Sequence, residues 1–173
     1  MAKVLITGMS GTGKSTALRM LGSRGHRVVD TDYGHWSHWV TLPDGSPDWV
    51  WREDAMTDLL TGHREGHLFV AGCKSNQGRF YRWFDHVVLF SAPAEVLLSR
   101  VVARTDNPYG KRPEEQADIL ENLRLVEPLL RATATLEIDT RTPPRPDHPP
   151  PGVPRLTFGS RRYDDRVRAG GAP

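Results

Sequence analysis

The segment Gly8-Met9-Ser10-Gly11-Thr12-Gly13-Lys14-Ser15 constrains this chain more than any other stretch of its 173 residues. It follows the short apolar run Val4-Leu5-Ile6 and precedes Ala17, Leu18, Met20 and Leu21, helix formers that recur on one face. Closely spaced glycines let the backbone curl until successive N–H groups point inward, and the start of the following helix adds partial positive charge. Such a cradle is a polyphosphate site, so one motif fixes the order strand, loop, helix. Gly8, Ser10, Gly11, Thr12 and Gly13 supply the cradle. Lys14 reaches toward the outer phosphates, the Ser15 hydroxyl suits a Mg²⁺ ion, and Thr16 adds a contact near the innermost phosphate.

The rest of the chain repeats this alternation. Lys3 to Thr7 is the first expected strand, and Lys14 to about Arg24 the first helix, punctuated by Gly22 and Gly25. His26 to Asp30, Leu68 to Ala71, Val87 to Phe90 and, more weakly, Leu136 to Ile138 carry the short apolar runs of strands buried on both faces. Helices are expected over Glu53 to Thr61, Pro93 to Arg104 and Pro113 to Arg131, with Pro128 kinking or shortening the last. Strands alternating with helices predict an α/β domain around a mainly parallel, five-stranded sheet. Two segments stand apart. Tyr33 to Trp51 holds four of the five tryptophans around the turn signal Pro43-Asp44-Gly45. These rings either wall a pocket or build the core of a small flap, and core is the expected role. Residues 141–173 hold eight of the fourteen prolines and show no periodicity, so 143–173 is expected to be a disordered Pro/Arg-rich tail.

Two carboxylates, Asp30 and Asp32, close the second strand beside the phosphate loop. Phosphoryl transfer needs the charge of a metal balanced and an acceptor oxygen aligned, and carboxylates at this edge satisfy both needs. The same residues can also simply cap the following loop. From Lys3 to about Thr142 the sequence resembles the small P-loop kinases, the group of shikimate kinase, gluconate kinase and adenylate-kinase-like AAA ATPases. The resemblance rests on the full Walker A pattern of Gly8 to Ser15, on Asp30-Thr31-Asp32, on Val50-Trp51-Arg52-Glu53-Asp54 and on the basic stretch Arg100 to Pro113.

That resemblance implies a P-loop NTPase three-layer sandwich over 1–142, with an acceptor-binding flap at 33–62 and a lid at 104–113. It implies ATP and Mg²⁺ as cofactors, with the γ-phosphate passed to a hydroxyl of a small molecule. Ser15 and Asp30 would support the metal, since no Walker B aspartate closes the third strand. Asp32 would orient or deprotonate the acceptor. Arg52 would grip an anionic or polyol acceptor, or stand as a surface arginine at a helix start. After the third strand, Ala71 to Arg79 is closer to the gluconate kinases than to the glycine triplet of the shikimate kinases. Lys74 and Arg79 there would face the acceptor or the transferring phosphoryl group. Arg100 and Arg104 lie one helical turn apart, and with Lys111 and Arg112 they would close over ATP around an Asn107-Pro108-Tyr109-Gly110 hinge. Ile138-Asp139-Thr140 resembles the strand and loop that flank adenine.

Composition limits the alternatives. The net charge is +2, but residues 141–173 hold seven Arg against three Asp, which leaves residues 1–140 at −2. The basic pI of about 8.9 is therefore a property of the tail, and no nucleic-acid partner is expected. No run approaches the length of a membrane span, and a strand pattern begins within three residues, so neither a membrane partner nor a signal peptide is expected. The lone Cys73 has no internal disulfide partner and fits a reducing, cytoplasmic setting as a small buried residue. Two further readings remain open. A nucleotide monophosphate kinase shares the architecture but normally has a longer, arginine-rich acceptor domain. A non-kinase, ATP-binding regulatory ATPase would use the loop as a switch and the basic tail as a polyanion site.

Overall fold

The computed structural model describes residues 1–141. The expected disordered tail, 143–173, lies outside the described residues. β1 (Ala2–Thr7), β2 (Arg27–Asp30), β5 (His67–Ala71), β6 (His86–Ser91) and β7 (Leu136–Asp139) form one sheet in the order β2-β5-β1-β6-β7. Every pairing in it is parallel. β1 is central, with Leu5 aligned to Val70 on one side and to Val87 on the other. Parallel strands need crossovers on the sheet faces, which buries both faces and explains why these runs are apolar without alternation.

Successive side chains enter opposite layers. Leu5, Leu68, Val70 and Val87 pack with Met56, Leu59 and Leu60 of α2 (Glu53–Gly62) and with Phe80 and Phe84. Ile6, Val28, Phe69, Ala71 and Phe90 lie against Leu18 and Leu21 of α1 (Lys14–Ser23). A third cluster, Met9, Leu89, Ala92, Leu97 and Leu130, ties the phosphate loop to α3 (Ala94–Ala103) and α5 (Glu127–Thr133). The expected helix over 113–131 is two helices, α4 (Pro113–Leu125) and α5, because Pro128 has no N–H to continue α4 and fits a first turn instead.

The segment left without structure by its sequence is a hairpin. β3 (Ser37–Thr41) pairs antiparallel with β4 (Pro47–Trp51), outside the main sheet. Register puts Trp39, Trp49 and Trp51 on one face of the hairpin, and position along it divides them. Trp51 is fully buried in the core and Trp36 packs against it, whereas Trp39 is 67% exposed and pairs with Trp49 at 5.1 Å. The core role thus holds for Trp36 and Trp51 and fails for Trp39, which lies nearer the turn of the hairpin. A 3-10 helix, Gln77–Trp83, also unsignalled by periodicity, connects β5 to β6.

The stretch between α3 and α4 is pinned by Glu115. Its Oε2 accepts from the N–H groups of Gly110 at 2.8 Å and Lys111 at 3.1 Å, while its Oε1 accepts from Arg112 at 2.7 Å. The Arg112 hydrogen bond, foremost, holds the Glu115 carboxyl down to about 2. A carboxyl held below its ordinary 4.5 contributes stability that is complete above that value and is lost as pH falls toward 2. Amide protection at Gly110 and Lys111, read by hydrogen exchange, is therefore expected to be full near neutrality and to disappear across that window. In Glu115→Gln it should already be weakened at neutral pH. Gly110 has φ +91°, and a Cβ there would stand 2.0 Å from Val101 Cγ1. Gly110→Ala is expected to destabilise the protein by about 2–4 kcal/mol in thermal unfolding. Gly45→Ala, with φ +85° but open space around it, should cost only about 1–2 kcal/mol.

Candidate active site

The order of the sheet brings the carboxyl ends of β1, β2 and β5 to one edge, and that edge collects the polar residues of interest. β1 ends at Thr7, and the loop turns at once because Gly8 has φ +141° and approaches β6. A Cβ on Gly8 would meet the Phe90 carbonyl oxygen at 2.2 Å. Gly11, at φ +84°, lies against α3 in the same way, 2.8 Å from the Leu97 carbonyl oxygen to the position of a Cβ. Thr12 is buried, its hydroxyl donating to the Met9 carbonyl at 2.8 Å. Gly13, also at positive φ, precedes the first turn of α1, whose unpaired N–H groups begin at Lys14. A Cβ at Gly8 or Gly11 would strike the backbone of β6 or α3, so glycine is what allows this tight loop, and the unpaired N–H groups at the start of α1 fit a phosphate chain.

The Lys14 ammonium curls back over this loop and donates to the carbonyls of Gly8 at 2.7 Å and Met9 at 3.0 Å. Burial pushes its pKa below the ordinary lysine value, and the negative potential of Cys73, Asp32 and Asp30 opposes that shift. An ammonium held by two neutral carbonyls in a desolvated place gains strongly from an arriving anion. The Ser15 hydroxyl donates to Asp30 Oδ2 at 2.8 Å, and Asp30 Oδ1 accepts from the Asp32 N–H at 3.1 Å. A hydroxyl and a carboxylate side by side at a phosphate loop form an oxygen donor set that suits a hard, octahedral cation such as Mg²⁺.

Asp32 is paired with Lys74 at 2.7 Å. Lys74 follows β5, and its side chain is only 10% exposed against 47% for Asp32. The fold thus gathers Lys14, Ser15, Asp30, Asp32 and Lys74 at one edge from three different strands. Ser10 lies in the loop itself, and Thr16, on α1, accepts from Arg19 at 3.2 Å. Arg100 bridges elements, with its guanidinium donating to the Thr140 hydroxyl at 3.0 Å, to the Thr140 carbonyl and to the Gly11 carbonyl at 3.4 Å. The residues expected to form a lid bond within their own segment instead. Arg104 donates to the Tyr109 carbonyl at 2.8 Å, and the Lys111 ammonium caps carbonyls at the end of α3, among them Val101 at 3.0 Å. Arg52 and Arg79 line an open cleft of about 1020 Å³ between the hairpin and the loop after β5.

Several positioning residues have no motif to announce them. Gln77 is buried, with Oε1 accepting from the Thr7 hydroxyl and from the Lys74 N–H, both at 3.2 Å. It therefore ties the end of β1 to the loop that carries Lys74. Asn76 holds the hairpin with both ends of its amide, accepting from the Trp51 N–H at 3.0 Å and donating to the Trp51 carbonyl at 2.9 Å. Thr31, between the two carboxylates, turns inward and donates to the Ala71 carbonyl at 2.8 Å. A polar residue inside a strand end, flanked by residues that alternate outward, was the available signal for Thr31. For Asn76 and Gln77 the sequence offers none.

Residues 4–121 match the family of AAA domains. A nucleotide-binding protein of Deinococcus radiodurans is 30% identical over 150 residues; the match covers 79% of this chain, which spans about half, 46%, of that relative's length. Among solved structures, shikimate kinase from Acinetobacter baumannii in complex with shikimate superposes with a TM-score of 0.59 at 20% identity, covering 82% of this chain and 85% of the other. Shikimate kinase from Bacteroides thetaiotaomicron gives 0.51 at 14% identity, covering 80% and 85%. Identities this low speak for the fold, and the sheet and loop described above agree with them. The chain belongs to the AAA domain family and has the fold of the small P-loop kinases.

Proposed function

We propose that this protein is an ATP-dependent phosphotransferase that moves the γ-phosphate of ATP to a hydroxyl of a small molecule. The observation that carries the reading is the adjacency of two carboxylates with different partners. Asp30 is hydrogen-bonded to the phosphate-loop Ser15, and Asp32, two residues on, is paired with Lys74. The first pair suits any nucleotide-binding protein, and the second sets a carboxylate beside the phosphate loop where group transfer to an acceptor would use it.

Ser15 and Asp30 would hold Mg²⁺, which when bound neutralises charge on the phosphates. The loop N–H groups and Lys14 bind the polyphosphate, the ammonium leaving the Gly8 and Met9 carbonyls for phosphate oxygens. Arg100 braces the loop against the strand β7 exit, and Arg104 and Lys111 supply positive charge from the lid. Asp32 accepts the proton of the acceptor hydroxyl as that oxygen bonds to phosphorus and the bond to the leaving ADP oxygen breaks. Lys74, released from Asp32 as that carboxyl is protonated, is then available to the transferring group. Arg52 and Arg79 border the acceptor cleft. Two of the structural neighbours are shikimate kinases, one of them in complex with shikimate, and this supports the kinase reading.

The test is incubation with ATP, Mg²⁺ and a mixed panel of polyols, sugar acids, shikimate and nucleosides, with phosphorylated product followed by mass spectrometry. Lys14→Ala is expected to lower transfer by about 10²–10³-fold with thermal stability retained, the loss typical of one charge-stabilising donor. Unchanged turnover would remove the loop from the chemistry. Asp32→Asn is expected to lower acceptor phosphorylation about 10²-fold while ATP affinity changes little. Equal loss of both would make Asp32 part of the metal site. Binding of ATP without transfer to any acceptor would favour a nucleotide-dependent regulator.

A further inference from the structure

A buried side-chain amide is tolerated when its polar atoms find partners, and Gln77, 3% exposed at the start of the 3-10 helix, finds them on β1, on the loop after β5 and on its own helix. Its Oε1 accepts from the hydroxyl of Thr7, the last residue of β1, and from the N–H of Lys74, both at 3.2 Å. Its Nε2 donates to the Tyr81 hydroxyl at 2.8 Å. Its backbone N–H donates to the Lys74 carbonyl at 3.1 Å. Gln77 therefore holds both backbone polar groups of Lys74, the N–H through its side chain and the carbonyl through its main chain. The direction in which the Lys74 side chain leaves the loop is fixed by this double grip.

That side chain is itself only 10% exposed, and it crosses to Asp32 at the end of β2, with Nζ 2.7 Å from Oδ1. At the other end of the relay, Thr7 is fully buried and directly precedes Gly8, the root of the phosphate loop. One amide oxygen thus sets the spacing between the strand that feeds the phosphate loop and the cation that covers the carboxylate. A lysine stem is long and flexible, so its ammonium keeps a fixed place only while the backbone at its root is held. At a reacting centre, a displacement of about 1 Å costs roughly 100-fold in rate.

We propose that Gln77 is a positioning residue for phosphoryl transfer, holding Lys74 in register with the phosphate loop, and that it sets the rate of transfer and not the binding of ATP. This deepens the kinase reading and rests on it. In Gln77→Met, which keeps the side-chain length and removes its hydrogen bonds, kcat is expected to fall about 10- to 100-fold with the KM for ATP within about twofold. Gln77→Glu keeps an oxygen for Thr7 and Lys74 and lets the Tyr81 hydroxyl turn to donate, so it should recover kcat to within about threefold of the unsubstituted protein. In a Lys74→Met background, Gln77→Met should cost no more than about a further twofold, because the residue it acts through is gone. Labelling of Lys74 by acetic anhydride, without ATP or acceptor and quantified by peptide mass spectrometry, should rise about three- to fivefold in Gln77→Met and return in Gln77→Glu. If Gln77→Met does not fold, Gln77→Asn, which withdraws the amide by one methylene, carries the same expectations. A purely structural role would lower the melting temperature and leave kcat unchanged below it, and that result overturns the proposal while leaving the kinase standing. So do equal losses of kcat and ATP affinity, failure of Gln77→Glu to recover kcat, a full additional loss on Lys74→Met, or unchanged labelling. Absence of transfer to any acceptor by the unsubstituted protein overturns the kinase reading and the proposal with it, whatever the labelling shows.

Discussion

Everything at the phosphate edge depends on β1 being clasped between β5 and β6 in parallel register. Parallel pairing sends all five carboxyl ends the same way, so each βα connection that carries chemistry opens at one edge. The central strand delivers the phosphate loop, β2 delivers Asp30 and Asp32, and β5 delivers Lys74. Hydrogen bonds then cross between these sources: Ser15 to Asp30, Lys74 to Asp32, and Gln77 to both Thr7 and the backbone of Lys74. The site is consequently a property of strand order. None of its three sources has the other two as sequence neighbours.

Charge at this edge is stored in short, internally satisfied arrangements. Lys14 is occupied by backbone carbonyls, Asp32 by Lys74, Arg100 by Thr140, and Arg104 and Lys111 by carbonyls of their own segment. Cations resting on neutral carbonyls give up little when an anion arrives, because an ion pair replaces a charge–dipole contact. Ion pairs already closed, Lys74 with Asp32 and the more exposed pairs of Arg52 with Asp54 and Arg79 with Glu53, exchange one attraction for another.

The fold and the phosphate loop were legible because their signals are local. Val4-Leu5-Ile6 before a glycine loop, the short apolar runs at 68–71 and 87–90, and Pro128 within a helical stretch each have one physical reading. The hairpin was not legible. Four tryptophans spaced through Tyr33 to Trp51 mark burial but not its depth, and only the register that pairs Ser37 with Trp51 at the base of the hairpin and Trp39 with Trp49 nearer its turn separates the buried ring from the exposed one. The nearness of Asp30 to Ser15 was readable from the strand–loop order. The engagement of Arg52 by Asp54 and of Arg79 by Glu53 was not, because whether an exposed arginine meets a neighbouring acid depends on backbone direction at a helix start.

Asn76 grips β4 by both atoms of its amide and stands two residues after Lys74, within the same short loop. The hairpin and the cation that covers Asp32 therefore share a single mechanical joint. Under the proposed chemistry, a tilt of the hairpin would draw on this joint and on the ammonium that covers Asp32, so that occupancy of the cleft and exposure of that carboxylate would be two readings of one displacement.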